Sequence, residues 1–203
     1  MRIGIDFDNT IACYEQVFRD VATSKRLLLP SFERSKQDVR DAIRLLPDGE
    51  SRWTELQADV YGPMIKNAVP FDGVKSFIKT AHRQAHEIVI ISHKTTFAAA
   101  RPKGTNLRKA ALQWLKQQGF FEPQMGLTQD DVHFSNTRVE KCKKIDAAGV
   151  SVFIDDLVEL FAEPTFPSTV KKCLFNAQPS DALLSAEVNA FETWHDLKTE
   201  LLS

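Results

Sequence analysis

The chain has no excess of either charge: 26 Lys and Arg stand against 27 Asp and Glu over 203 residues, a formal net of −1. No global field is therefore available to recruit nucleic acid or an anionic membrane. Its longest apolar runs are strand-sized, too short to span a bilayer as a helix. No internal repeat or low-complexity stretch occurs. Cysteine is scarce, with Cys13, Cys142 and Cys173 far apart and no C-x-x-C pair. The odd number and wide spacing lead us to expect reduced thiols in a cytoplasmic protein, and the lack of a C-x-x-C pair leaves no thiolate metal motif. Met1 leads directly into a strand-like segment, so no signal peptide is expected.

The length suits one domain plus an insertion, with enough chain to bury a core. Strand-like runs at Arg2–Asp6, Glu87–Ser92, Val132–Phe134, Val150–Asp155 and Lys171–Phe175 alternate with helical patterns. Val74, Phe77, Ile78 and Ala81 form one helical stripe. Leu107, Ala111, Trp114 and Leu115 form a second, closed by Gly119, and Val139, Cys142 and Ile145 a third, ending at Gly149. This alternation predicts an α/β fold, a Rossmann-like parallel sheet with helices on both faces. The fourteen Phe, scattered through these stripes, read as packing.

Residues 14–69 break the alternation with three helical patterns and no strand. The expectation is a small helical cap inserted after the first strand, leaving 1–13 and 70–203 as the core. Ligands of open α/β sheets bind beyond the carboxyl ends of the strands. The cap is therefore expected to act as a lid there, with Tyr14, Glu15, Trp53, Glu55 and Tyr61 as inward-pointing candidates.

Chemistry concentrates at strand ends. Asp6-Phe7-Asp8-Asn9-Thr10 follows the first strand, and Asp155-Asp156 closes the run Val150–Ile154. Two unit charges about 4 Å apart repel by roughly 4 kcal/mol at an effective dielectric near 20, so such pairs call for a cation, a proton or a function. Four carboxylates at two strand ends point to a metal site. Ser92 ends a β-branched strand, where its hydroxyl can cap the next element or bind an anion. His93 and Lys94 follow, Lys94 either touching a ligand or lying solvated. Lys141, Lys143 and Lys144 precede the second acidic strand. His82 and His86 have the i,i+4 spacing of a zinc pair but no third ligand nearby. The polar segment 94–106, with Arg101, Lys103 and Gly104, is read as a long loop beside Ser92, able to recognise an anionic group or simply mobile.

This order of elements resembles the haloacid dehalogenase superfamily, in its phosphatase branch. The resemblance rests on Asp6-Phe7-Asp8-Asn9-Thr10, Ser92, a lysine near 141 and Asp155-Asp156, and covers most of the chain. It implies an Mg²⁺-dependent phosphatase acting on a small phosphomonoester, a sugar phosphate or nucleoside monophosphate, through an aspartyl-phosphate. Asp6 would be the nucleophile and Asp8 the acid–base; an acidic residue at that position argues against dehalogenation. Lys141, chosen over Lys144 for its place near the helix start, would screen the phosphoryl group. Ser92, Thr10 and His93 would contact phosphate or orient Asp8. Asp6, Asp8 through its carbonyl, and Asp156 would hold Mg²⁺, with Asp155 binding the lysine or a metal-bound water. Asp156 also stands at capping-box spacing from Glu159. A phosphotransferase or phosphomutase, and a non-turnover metal- or phosphate-binding scaffold, are the competing readings. Neither nucleic acid nor a membrane is expected as a partner, and the oligomeric state is left open.

Overall fold

The structure, a computed structural model, describes residues 1–32, 34–176 and 187–203. The chain begins with β1 (Arg2–Ile5) and β2 (Ala12–Cys13), then α1 (Glu15–Ser24), α2 (Lys36–Arg44) and α3 (Gly49–Tyr61). After β3 (Val69–Pro70) come α4 (Val74–Arg83), β4 (Glu87–His93), α5 (Leu107–Gln117) and β5 (Val132–Ser135). The remainder is α6 (Arg138–Ala147), β6 (Val152–Asp155), α7 (Val158–Phe161), β7 (Lys171–Phe175), β8 (Val188–Phe191) and α8 (Trp194–Leu202).

Six strands form one sheet in the order β5-β4-β1-β6-β7-β8, and the strand pairs are parallel. Both faces of a parallel sheet are covered, which is why β1, β4 and β6 read as unbroken apolar runs rather than alternating ones. On one face Val89, Ile91 and Phe153 pack with Cys142 and Ile145 of α6 and with Leu160 and Phe161 of α7. On the other, Phe77 of α4 meets Trp194 of α8, whose ring also stands 5.3 Å from that of Phe175. Gly4 is needed for close approach: a Cβ there would lie 2.5 Å from the Phe153 ring.

The strand order places β1 where the chain reverses direction across the sheet. From β1 it builds outward through β4 and β5, then returns to build β6, β7 and β8 on the other side. The crevice at the carboxyl ends of β1 and β6 is the topological switch point, the place where such sheets bind ligands.

The backbone separates into two compact units: Met1–Ala12, Pro70–Lys94 and Leu115–Ser203 form one, and Cys13–Val69 with Thr95–Trp114 the other. The second thus takes in 95–114 as well as the insertion drawn from the sequence. Within it α1, α2 and α3 pack around aromatic rings: Phe18 stacks on Trp53 at 5.0 Å, and Tyr61 stands edge-on to Tyr14 at 4.9 Å. Of the residues named from the sequence as inward-pointing candidates, Tyr14 and Trp53 are buried in the core of this unit and Tyr61 is half-buried. Asp59 in α3 bonds Lys25 at 2.7 Å and also Arg101, which fastens the segment after β4 to the helices.

Candidate active site

Asp6 follows β1 directly, and its N–H donates to the Ile154 carbonyl at 2.9 Å, holding it in step with β6. The chain then turns sharply. The N–H groups of Ile11 and Ala12 both donate to the Phe7 carbonyl at 3.0 Å, and Asn9 takes the left-handed conformation at φ 58°. Asparagine is among the few side chains that tolerate it. The turn is braced from the C-terminal helix: the Trp194 indole N–H donates to the Thr10 carbonyl at 3.1 Å. The Thr10 hydroxyl lies 3.5 Å from Asp156 Oδ1, a long contact, rather than reaching Asp8 as the sequence reading allowed.

Lys141 sits in the first turn of α6, whose N-cap Thr137 accepts from the Glu140 N–H. This start aims the lysine at the strand ends. Its ammonium is 2.5 Å from Asp6 Oδ1 and 2.5 Å from Asp155 Oδ2, with the lysine only 2% exposed. Lys144, the alternative, is exposed and donates instead to the Phe134 carbonyl.

The two acidic neighbours differ in their surroundings. Asp155 is fully buried and engaged at both oxygens, Oδ2 by Lys141 and Oδ1 by the Leu157 N–H at 2.9 Å. That second bond corrects the capping-box reading: Asp155 receives the backbone donor ahead of α7, whose N-cap Leu157 has no side-chain cap. Asp156 is only partly buried. Asp6, Asp155 and Asp156 each bring a carboxylate oxygen to within 4.8 Å of the others. Among the described residues this is the one such group of three or more potential metal ligands, and neither His82 nor His86 joins it. His86 Nδ1 contacts the terminal amine of Met1 at 3.1 Å.

The end of β4 shows what strand alternation does. Ser92 is 1% exposed and its hydroxyl has no hydrogen-bond partner. His93 points elsewhere, its Nε2 lying 2.9 Å from the Asn136 carbonyl oxygen. Lys94, two residues beyond Ser92, is buried and reaches Asp8, with Nζ 2.8 Å from Oδ2 and 3.0 Å from Oδ1. Period-two alternation was the available signal: it groups Ser92 with Lys94 and separates both from His93.

Electrostatically, the site is crowded. Burial pushes the Asp6 carboxyl up from 3.8 to about 7; Lys141 pulls it down, while Asp155 and Asp8 push it further up. Burial alone would depress Lys141, but the carboxylates of Asp155 and Asp6 outweigh it and raise its pKa above 10.5. Counted formally, Asp6, Asp8, Asp155 and Asp156 face Lys94 and Lys141, leaving two negative charges, the amount one divalent cation neutralises. The donors are hard oxygens, fitting Mg²⁺ or Ca²⁺ rather than a thiolate-seeking metal.

No protein-family model matches the chain. No curated protein matches it by sequence. Solved structures do match in fold. A haloacid dehalogenase-like family hydrolase from Streptococcus pneumoniae aligns at TM-score 0.63 and 14% identity, over 98% of this chain and 97% of that one. A family IA, variant 3 hydrolase of the haloacid dehalogenase type from Entamoeba histolytica aligns at 0.58 and 12%, over 99% and 96%. A hydrolase of the same type from Deinococcus radiodurans, solved with bound phosphate and sodium, aligns at 0.57 and 11%, over 98% and 94%. The chain has the haloacid dehalogenase-like hydrolase fold.

Proposed function

We propose that this protein is an Mg²⁺-dependent phosphatase that hydrolyses a small phosphomonoester through an aspartyl-phosphate on Asp6. The observation that carries the reading is the buried Lys141 ammonium held between Asp6 and Asp155, beside Asp156, at the switch point of the sheet. A strand-end carboxylate with its own buried counter-ion can approach a phosphate dianion without prohibitive repulsion.

In this reading Asp6 attacks phosphorus in line, forming the Asp6–phosphorus bond as the ester oxygen leaves. Asp8 gives a proton to that oxygen. It then takes one from the water that opens the acyl phosphate, releasing inorganic phosphate and restoring Asp6. Ser92 supplies a hydroxyl donor to a phosphoryl oxygen. Its lack of a partner supports this, since a buried unsatisfied hydroxyl costs about 1–3 kcal/mol and persists where a ligand satisfies it. Lys141 holds Asp6 and offsets the charge of the phosphoryl group. Mg²⁺ would be held by Asp6 and Asp156, with Asp155 behind them on Lys141, and would supply charge neutralisation at the phosphoryl oxygens.

The test is Mg²⁺-dependent release of phosphate from p-nitrophenyl phosphate and from a panel of sugar phosphates and nucleoside monophosphates. Loss of turnover in Asp6→Asn, in a protein that still folds, is expected. Unchanged turnover in that variant removes Asp6 from the role of nucleophile.

A further inference from the structure

Lysine is rarely as buried as Lys94, which is 4% exposed overall and 2% in its side chain. Nothing in the phosphatase reading requires a second buried lysine, because Lys141 already serves Asp6. Lys94 also lies 5.5 Å from the centre of the Phe7 ring, between the two site carboxylates in sequence. Its N–H donates to the Ser135 carbonyl at 2.9 Å, which continues the β4–β5 pairing and fixes the root of the side chain. The ammonium then spans Asp8, contacting both oxygens at 2.8 and 3.0 Å. Each of the two reacting carboxylates thus has its own lysine, supplied from a different element.

We propose that Lys94 is the positioning residue for Asp8, fixing the plane of its carboxylate and stabilising the negative charge it acquires on giving a proton to the leaving oxygen. The inference rests on the phosphatase reading. In the first half-reaction the bond from phosphorus to the ester oxygen breaks, the Asp6–phosphorus bond forms, and the Asp8 proton passes to the departing oxygen. Asp8 emerges as a carboxylate, and the two-oxygen grip of Lys94 is the geometry that species requires. The grip also leaves a fixed orientation for the second half-reaction, in which Asp8 recovers a proton from the attacking water. Without Lys94 the carboxylate would lose the contacts that hold both of its oxygens at 2.8 and 3.0 Å.

Leaving-group dependence isolates this role. p-Nitrophenolate departs with little need of a proton, whereas the alkoxide of glycerol 2-phosphate must be protonated as it leaves. The readout is kcat/KM, which covers steps only through formation of the phosphoenzyme. In Lys94→Met we expect kcat/KM for glycerol 2-phosphate to fall about 100-fold, the scale of general-acid catalysis. The fall for p-nitrophenyl phosphate should be at least tenfold smaller. Lys94→Arg should recover most of the difference.

Circular dichroism checks folding of each variant. Because Lys94→Met removes the two contacts to Asp8 and can fail to fold, the pair Asp8→Asn and Asp8→Asn/Lys94→Met supplies a second comparison. Their kcat/KM values on p-nitrophenyl phosphate should agree within about twofold, since Lys94 acts only through Asp8. Equal losses on the two esters in Lys94→Met, or a further large loss in the double variant, overturn the inference. A wild-type protein inactive on every phosphomonoester overturns the phosphatase reading itself, a result distinguishable from either.

Discussion

The Lys141 ammonium and the Asp6 carboxylate stand 2.5 Å apart, their side chains 3% and 6% exposed. Breaking a buried pair by removing one partner strands the other charge, at a cost of about 3–5 kcal/mol. Lys141→Met would strand two, because Asp155 shares the same ammonium. We expect this variant to lose turnover by at least about 100-fold. Its melting temperature should fall steeply, with part of that fall recovered by Mg²⁺. A variant as stable as the wild type would show that the pair contributes nothing to folding.

Asp6 titrates near 7 when no cation is present, raised chiefly by burial. A divalent ion must displace the proton from the carboxyl it binds. Apparent Mg²⁺ affinity is therefore expected to rise with pH up to about 7 and level off above it. The stability of the metal-free protein runs the other way. The Asp6 contribution is full below its ordinary 3.8 and is lost as pH rises towards about 7, because over that window the folded state holds a proton the unfolded state has released. Calorimetry at pH 6 in two buffers of different ionisation enthalpy measures proton release directly. Binding without proton release would contradict the raised pKa of Asp6.

Much of this arrangement was legible in the sequence, because the carboxylates interrupt apolar runs and thereby announce both the strand and its end. Asp6, Asp8, Asp155 and Asp156 could be placed at strand ends that way, whereas a lysine in this region was implied by the family resemblance and its place near the helix start only favoured Lys141 over Lys144. Lys94 stood at the edge of legibility: its distance from Ser92 carries the signal, but loop lysines are usually solvated, and only the turn that brings Asp8 under β4 reveals its partner. The segment beyond Phe175 gave no assigned element. There β8 is the four-residue Val188–Phe191, exposed at its two middle positions, with too weak an apolar pattern to stand out. The Thr193–Asp196 capping box before α8 was a readable start signal. The bond from Trp194 to Thr10 was not readable, since it joins residues 184 positions apart.

Gly4 sits against the ring of Phe153, which is wholly buried. A methyl group at that position would come within 2.5 Å of ring carbon Cδ2, a contact that requires the ring or the strand to shift. Gly4→Ala is expected to cost about 1–3 kcal/mol, the usual penalty of overpacking. Phe153→Leu should recover part of that loss when combined with Gly4→Ala and should destabilise the protein on its own. Urea unfolding of the wild type and the three variants closes the cycle, and simple additivity would mean the two positions are not in conflict.

Burial pushes all three thiols upward, Cys173 to about 12. Cys142 and Cys173 are buried and Cys13 partly so, which leaves little reactive thiolate at neutral pH. The native protein should therefore react slowly with Ellman's reagent at pH 7.5, with Cys13 modified first, and all three should react at once in denaturant. Rapid modification of Cys173 in the native protein would show that β7 opens far more often than its burial implies.

Trp194 makes two separable contributions, and one substitution tells them apart. Its ring packs against Phe77 and Phe175 at 5.0 and 5.3 Å between centroids, while its N–H holds the Thr10 carbonyl at 3.1 Å. Trp194→Phe keeps an aromatic ring and removes the donor. The Thr10 carbonyl is then left without it in a buried setting, at a cost of about 1–3 kcal/mol. Because Thr10 belongs to the turn that presents Asp8, the orientation of that turn should loosen as well. We expect kcat to fall several-fold with KM nearly unchanged, together with a moderate drop in melting temperature. Trp194→Leu loses ring and donor together and should be the less stable of the two by thermal melt, with no greater loss of kcat. If Trp194→Phe matches the wild type in kcat while melting earlier, the indole bond serves stability alone, and the turn carrying Asp8 is held by its own Phe7 and Ala12 hydrogen bonds.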